Sequence, residues 1–283
     1  MRIHRIVLSL LLLTFVVTGC GNRGIPVIKQ ELLDKKISVL MLTSAGISDT
    51  AKQSVSTALQ QWRDSNLIAY DWIKDATVID NDIVTKLKVR TYDYIYVIGN
   101  ELLPSAEQVI QQDAVTSKWT LLQSQLDANG SSNLIGNQAA LFQIDPNQVD
   151  NLKGKWIQDL LNQNASIEWI TQADHPIPSA WAPSEEADHI ILLDNNDQWF
   201  QQLAFQTRQH LSTWIIFYAP TDAAHVQKAK SLGVSVMDLN GSLSAELNWA
   251  TILNNRLNAM LQKTWKPGAT VFTDQELKEL KMK

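Results

Sequence analysis

The chain reads as an α/β protein of two doubly wound parallel-sheet lobes joined by a hinge. Three observations predict this: short apolar runs recur between amphipathic stretches, the runs are near-continuous rather than alternating, and the alternation occurs in two series. Continuous apolar strands belong in parallel sheets covered on both faces, and helices between them supply the covering layers. Ile37 to Thr43 (ISVLMLT) is the first such strand. Asp49 to Asp64 follows as a helix, with Val55, Leu59 and Trp62 at helical spacing. Strands at Leu67 to Ile73 and Asp93 to Gly99 flank a helix at Val78 to Val89. Pro104 opens a helix to about Ser117, and Trp119 to Gln123 makes the fourth strand. Asp127 to Asn137 (DANGSSNLIGN) is a surface loop before a strand at Ala139 to Ile144.

Pro146 starts the crossing helix to about Asn162, where the missing N–H of proline costs nothing. The second series has strands near Ile167 to Thr171, His189 to Leu193, Thr213 to Tyr218 and Val234 to Asp238. Helices are expected at about Gln198 to His210, Ala223 to Ser231 and Leu243 to Gln262. The organisation is then a leader at 1–19, a tether at 20–36, and a first lobe at 37–144 to which 242–264 returns. A second lobe spans 145–241 and takes in 265–283.

The leader has chemistry of its own. Arg2 and Arg5 precede an apolar run from Ile6 to Val17, which ends in Val17-Thr18-Gly19-Cys20. About twelve residues is too short for a bilayer-spanning helix of about twenty, and the charged start and small-residue end mark an export signal. The segment resembles a bacterial lipoprotein signal, which implies cleavage before Cys20 and a diacylglycerol on its sulfur. Two acyl chains hold a membrane far better than one. The expected location is therefore a membrane surface facing away from the cytoplasm. Cys20 is the chain's one cysteine, so no internal disulfide can form and stability must come from packing.

The formal charge of −5 becomes about −7 once Arg2 and Arg5 are lost, and no Lys/Arg run could track a phosphate backbone. Nucleic acid is excluded as a partner on that ground. The string Gly19 to Gly24 matches G-x-G-x-x-G, but it follows a leader rather than a strand and opens no helix. No P-loop, H-E-x-x-H, G-x-S-x-G or paired cysteines are present, so neither a catalytic centre, a cofactor nor a metal is expected. His175, His189, His210 and His225 are each at least fourteen residues apart and share no helix face. All ten tryptophans lie after residue 60 and read mainly as packing wedges, with a stacking wall for a flat ligand as the functional alternative.

Open α/β sheets bind ligands at the carboxyl ends of their strands. The polar residues expected there are Ser44, Asp49, Asn100, Glu101, Asp194, Asn195, Tyr218 and Asp238, with Trp199 as the stacking residue. Asp and Asn at such positions also serve as helix caps and turn formers.

Tyr92 to Gly99 (YDYIYVIG) and Asp49 to Leu59 (DTAKQSVSTAL), set between a lipid anchor and the two series, resemble the basic membrane protein family of type I periplasmic-binding-protein-like proteins. The resemblance spans most of 37–273. It implies crossings between lobes near Ile144, Asn240 and Pro267, closure on a small polar or flat, nucleoside-like solute, and an ABC permease as partner. Regulatory relatives imply the alternative, an envelope sensor or structural lipoprotein working through protein contacts. Aligned on Gln53-Ser54, the family's stacking Phe falls on Ala51 and its ligand-binding Asn on Lys52. The long helix usual after Ile167 is replaced by a stretch carrying Pro176, Pro178 and Pro183.

Overall fold

The computed structural model describes residues 36–112, 116–126, 138–181, 188–194 and 196–283. Cys20 and the leader, Asn195, and the loop expected at 127–137 lie outside these residues. Two parallel sheets carry the architecture. The first contains β1 (Ser38–Ser44), β2 (Ala69–Ala76), β3 (Tyr94–Ile98), β4 (Lys118–Leu122), β5 (Ala139–Gln143) and β11 (Gly268–Val271), in the order β11-β5-β4-β3-β1-β2. The second contains β6 (Ile167–Thr171), β7 (Ile190–Leu192), β8 (Trp214–Phe217) and β9 (Ser235–Asp238), in the order β7-β6-β8-β9. Every pairing within both sheets is parallel.

Both sheets are covered on two faces, as the continuous apolar strands require. Val39 and Met41 point to one core, packed with α1 (Asp49–Asn66) and α7 (Trp249–Leu261), while Leu40 and Leu42 point to the opposite one. That opposite core is closed by α2 (Asn81–Val89) and α3 (Leu103–Gln111). In the second sheet, Ile167 and Trp169 meet α4 (Pro146–Asn162), whereas Ile170 and Phe217 meet α5 (Trp199–Gln209) and α6 (Ala223–Lys230).

Local chemistry sets the boundaries. Ser48 caps α1 by accepting the amide of Ala51, and Ala51, Val55, Leu59 and Trp62 form its buried stripe. Leu67 ends that helix in the left-handed region at φ 57°, which delays β2 by two residues relative to the sequence expectation. Asp145 caps α4, with Pro146 in its first turn.

Residues 243–283 differ from expectation. Leu243 to Leu247 is not the start of a helix: it is strand β10, and Asn248 then caps α7 through the amide of Thr251. β10 pairs antiparallel with β12 (Leu277–Met282), with Leu243 opposite Met282 and Leu247 opposite Leu277. β11 lies against β5, so 268–271 belongs to the first sheet rather than the second lobe, and the third crossing is made by β12, not near Pro267. The ribbon joins the two halves: Leu247 and Leu277 pack in the first sheet's core and Met282 in the second's.

The start of β12 is anchored by Glu276, which is 1% exposed. Its carboxylate accepts from Arg256 Nη2 at 2.8 Å, Asn255 Nδ2 at 2.9 Å and the Thr273 amide at 3.0 Å. Its carbonyl accepts the amide of Asn248 at 2.7 Å. The Arg256 guanidinium lies 3.6 Å from the centre of the Phe142 ring. Burial lowers the pKa of Arg256, and the facing Glu276 opposes that loss. Removing one member of a buried pair leaves the other charge uncompensated. Glu276→Gln is therefore expected to destabilise the fold by about 3–5 kcal/mol, read from urea unfolding as a lower midpoint at unchanged slope.

Candidate functional site

The first sheet, read as β2-β1-β3-β4-β5, reverses direction between β1 and β3, and the second reverses between β6 and β8. Ligands of open α/β sheets bind at such switch points. Ser44 closes β1, and Asn100 and Glu101 follow β3, so all three arrive at the first switch point.

Ser44 is 1% exposed and donates its hydroxyl to Glu101 Oε2 at 2.7 Å, while accepting the amide of Gly46 at 3.0 Å. The backbone here comes too close for side chains. A Cβ on Gly46 would lie 2.4 Å from Glu101 Oε1, and one on Gly99 would lie 2.3 Å from the Cβ of Ser44. Gly99 also has φ +126°, which L residues rarely adopt. Asn100 ties two strand ends together: its Oδ1 accepts the Ser124 amide at 2.9 Å, and its Nδ2 donates to the Gln125 carbonyl at 3.0 Å.

Beside this cluster opens a pocket of about 700 Å³. Its walls are the β1–α1 turn (Gly46, Ile47, Ser48), the segment held by Asn100 (Ser124, Gln125), and the ribbon with the start of α7 (Glu246, Leu247, Asn248, Lys278). Thr50 and Ser54 on α1 add hydroxyls. Two capped helix N-termini, at Ser48 and Asn248, thus open onto one cavity, where amide dipoles favour electron-rich groups. Lys278 is paired to Glu246, whose hydrogen bond raises its pKa.

The second switch point carries a different set. Asn240 donates Nδ2 to the Tyr218 carbonyl at 2.8 Å, and its amide to Asp238 Oδ1 at 3.0 Å. Its own Oδ1 accepts Lys153 Nζ at 2.9 Å. Burial lowers the pKa of Lys153 against the opposing pull of Asp150 and Asp238. Tyr218 is raised, by burial first and Asp150 second, and its ring meets Trp181 edge-on at 5.7 Å.

Of the residues expected from sequence, Ser44, Asn100 and Glu101 come together directly, and Tyr218 and Asp238 meet through Asn240. Asp49 is exposed in the first turn of α1, beside the pocket wall at Ser48. Asp194 serves a turn, accepting the Ala173 amide at 2.6 Å. Trp199 corrects the expectation of a stacking wall. It is 6% exposed and packed against Phe200, Phe217 and His225, because as the first residue of α5 it faces that helix's buried stripe with Leu203. Ala51 is fully buried, and Lys52 is spent in an ion pair with Asp75 at 2.6 Å.

Sequence reasoning missed Ser124, Gln125, Asn248 and Lys278. The polar Ser124-Gln125 pair after the β4 apolar run was a readable signal. The ribbon residues had none, because Leu243 to Leu247 joins smoothly onto the helical pattern after it.

No family model matches the chain, and neither does any curated protein sequence. Solved structures similar to it include a transcriptional activator of the comK gene from Bacillus halodurans, at 9% identity, 87% coverage of this chain and 89% of that one, and TM-score 0.42. Others are a sugar ABC transporter protein from Yersinia enterocolitica (12% identity, 84% and 81% coverage, TM-score 0.43) and a sugar transporter protein from Clostridium phytofermentans (14%, 87% and 99%, 0.43).

Gly99→Ala adds a clash to a disfavoured backbone, whereas Gly233, at φ +78°, has nothing within 4 Å of its would-be Cβ. Gly233→Ala is expected to cost about 1–2 kcal/mol from the backbone alone. Gly99→Ala should cost about 1–3 kcal/mol more, from overpacking, when the two are compared by chemical denaturation.

Proposed function

We propose that this chain is a membrane-anchored, extracytoplasmic solute-binding lipoprotein, held through Cys20 and serving as the binding component of an ABC transporter or a related sensor. The observation that carries this reading is the pocket of about 700 Å³ at the carboxyl end of β1, onto which two capped helix N-termini open. Its size falls in the range of small-molecule sites, roughly 300–1,000 Å³. Its hydroxyl and amide groups suit a small polar solute bound by hydrogen bonds. With Trp199 in the core, a flat ligand would have to stack elsewhere. No covalent chemistry is required of any lining residue, which fits a binding protein rather than an enzyme.

Titration calorimetry against sugars, nucleosides and amino acids tests the reading. At least one class is expected to bind, and Ser54→Trp, which fills the pocket from its half-buried wall on α1, is expected to abolish that binding with unfolding behaviour unchanged. Silence across all three classes overturns it. The anchor has its own measurement: Cys20→Ser should move the protein from the membrane to the soluble fraction after salt and carbonate washing.

A second reading, an envelope sensor that uses the scaffold for protein contacts, draws support from the closed-off Ala51 and the ion-paired Lys52. Affinity capture from solubilised membranes separates the two. A permease is expected under the first reading, and an envelope kinase or structural protein under the second.

A further inference from the structure

Glu168, His189 and His210 are scattered in sequence but meet at the amino-terminal edge of the second sheet, and we propose that they bind a divalent transition-metal ion of the zinc type. Glu168 is the second residue of β6, His189 directly precedes β7, and His210 directly follows α5. One potential ligand atom from each lies within 4.8 Å of the other two. His189 and His210, too far apart in sequence to share a helix face, are neighbours in space: their rings stack at 3.9 Å between centres, tilted by 29°.

The polar accounting of this cluster is lopsided without a cation. The Glu168 side chain is 0% exposed. Three groups crowd its Oε1: His210 Nδ1 at 2.7 Å, His189 Nδ1 at 3.1 Å and the Ser212 hydroxyl at 2.6 Å. Among the described residues its Oε2 has no hydrogen-bond partner, and the approach of His189 Nδ1 does not make a hydrogen bond. Buried polar atoms are almost always satisfied, and a buried carboxylate with one bare oxygen is costly. A cation seated among the three side chains would take up the bare oxygen and the unpaired imidazole nitrogen together.

The donor set selects the ion. Two imidazoles and one carboxylate suit zinc and its first-row neighbours, whereas calcium and magnesium demand six or more oxygen ligands or retained waters. Both imidazoles keep a partly open side, with 22% and 18% of the side chains exposed, so the ion has a path in and water a place in its coordination. Tyr218, just after β8, and Asp238, at the end of β9, lie at the opposite, carboxyl end of the same parallel sheet. Metal here would clamp the end of α5 to the starts of β6 and β7, independently of any solute.

The test uses the full-length chain, stripped with a chelator and titrated with zinc against a chromogenic competitor, with cobalt absorption as a second readout. One zinc per chain, a raised thermal midpoint and visible cobalt bands are expected. His189→Asn, His210→Asn and Glu168→Gln should each weaken zinc binding by at least tenfold, while His175→Asn and His225→Asn leave it unchanged. The two histidine variants carry the result if Glu168→Gln fails to fold. No zinc uptake by the parent chain, or equal uptake by the His189 and His210 variants, overturns the proposal.

Discussion

The tie between Glu276 and α7 decides where the end of the chain can go. One buried carboxylate gathers Arg256, Asn255 and the turn at Thr273, and its backbone carbonyl receives the amide that begins α7. That fixes the first residue of β12 against the first sheet, and the antiparallel register with β10 then carries Met282 to the second sheet's core. Arg256 is held in turn by Phe142 on β5, the strand that also accepts β11. An apolar residue at 276 would fill the space but leave the guanidinium without its counter-charge. Replacing Glu276 and Arg256 together by apolar residues of matching volume would be close to neutral, so the pair as a whole contributes position more than net stability, although losing either partner alone is costly.

The same logic places the candidate pocket. Its wall at Glu246 and Lys278 exists only because the ribbon is anchored, and its wall at Ser124 and Gln125 only because Asn100 grips that backbone. Gly46 and Gly99 let the Ser44–Glu101 pair close without side-chain interference. Ser44, Asn100 and Glu101 thus act as the frame of the cavity. The groups that face the cavity are the hydroxyls of Ser48, Thr50 and Ser54 and the ends of two helices.

How far the sequence could be read depends on what each residue type reports. Leu40 and Leu42 alternate with Val39 and Met41 between two cores, and a strand buried on both faces must be apolar throughout, so the parallel sheets were legible. β11 was not: its four residues are exposed, and only their pairing to β5 makes them a strand. β10 was masked because its Leu243 and Leu247 sit four apart, a spacing that reads equally as a helical stripe. Trp199 shows the limit for aromatics, since a tryptophan one residue into a helix can face the core or the strand ends with the same sequence around it. Glu168 and its two histidines come from three separate elements, and contact across a sheet leaves no local pattern.

The separate cores give the solute-binding reading its mechanical content. The buried cores of the two sheets are separate clusters, bridged by α4, whose Val149 packs on the first and Ile157 on the second, and by the ribbon, so a change in angle between the halves would leave the interior of each core intact. The chain passes between them after β5, along β10 and along β12, and the β10–β12 register is irregular between Glu246 and Leu247, at the edge of the pocket. A ladder interrupted there bends more readily than a regular one, because the local hydrogen bonds are already incomplete. A solute touching both the α1 turn and the ribbon would therefore bear on the point where the connection is softest. On the proposed reading, binding energy at that point is what biases the angle between the halves.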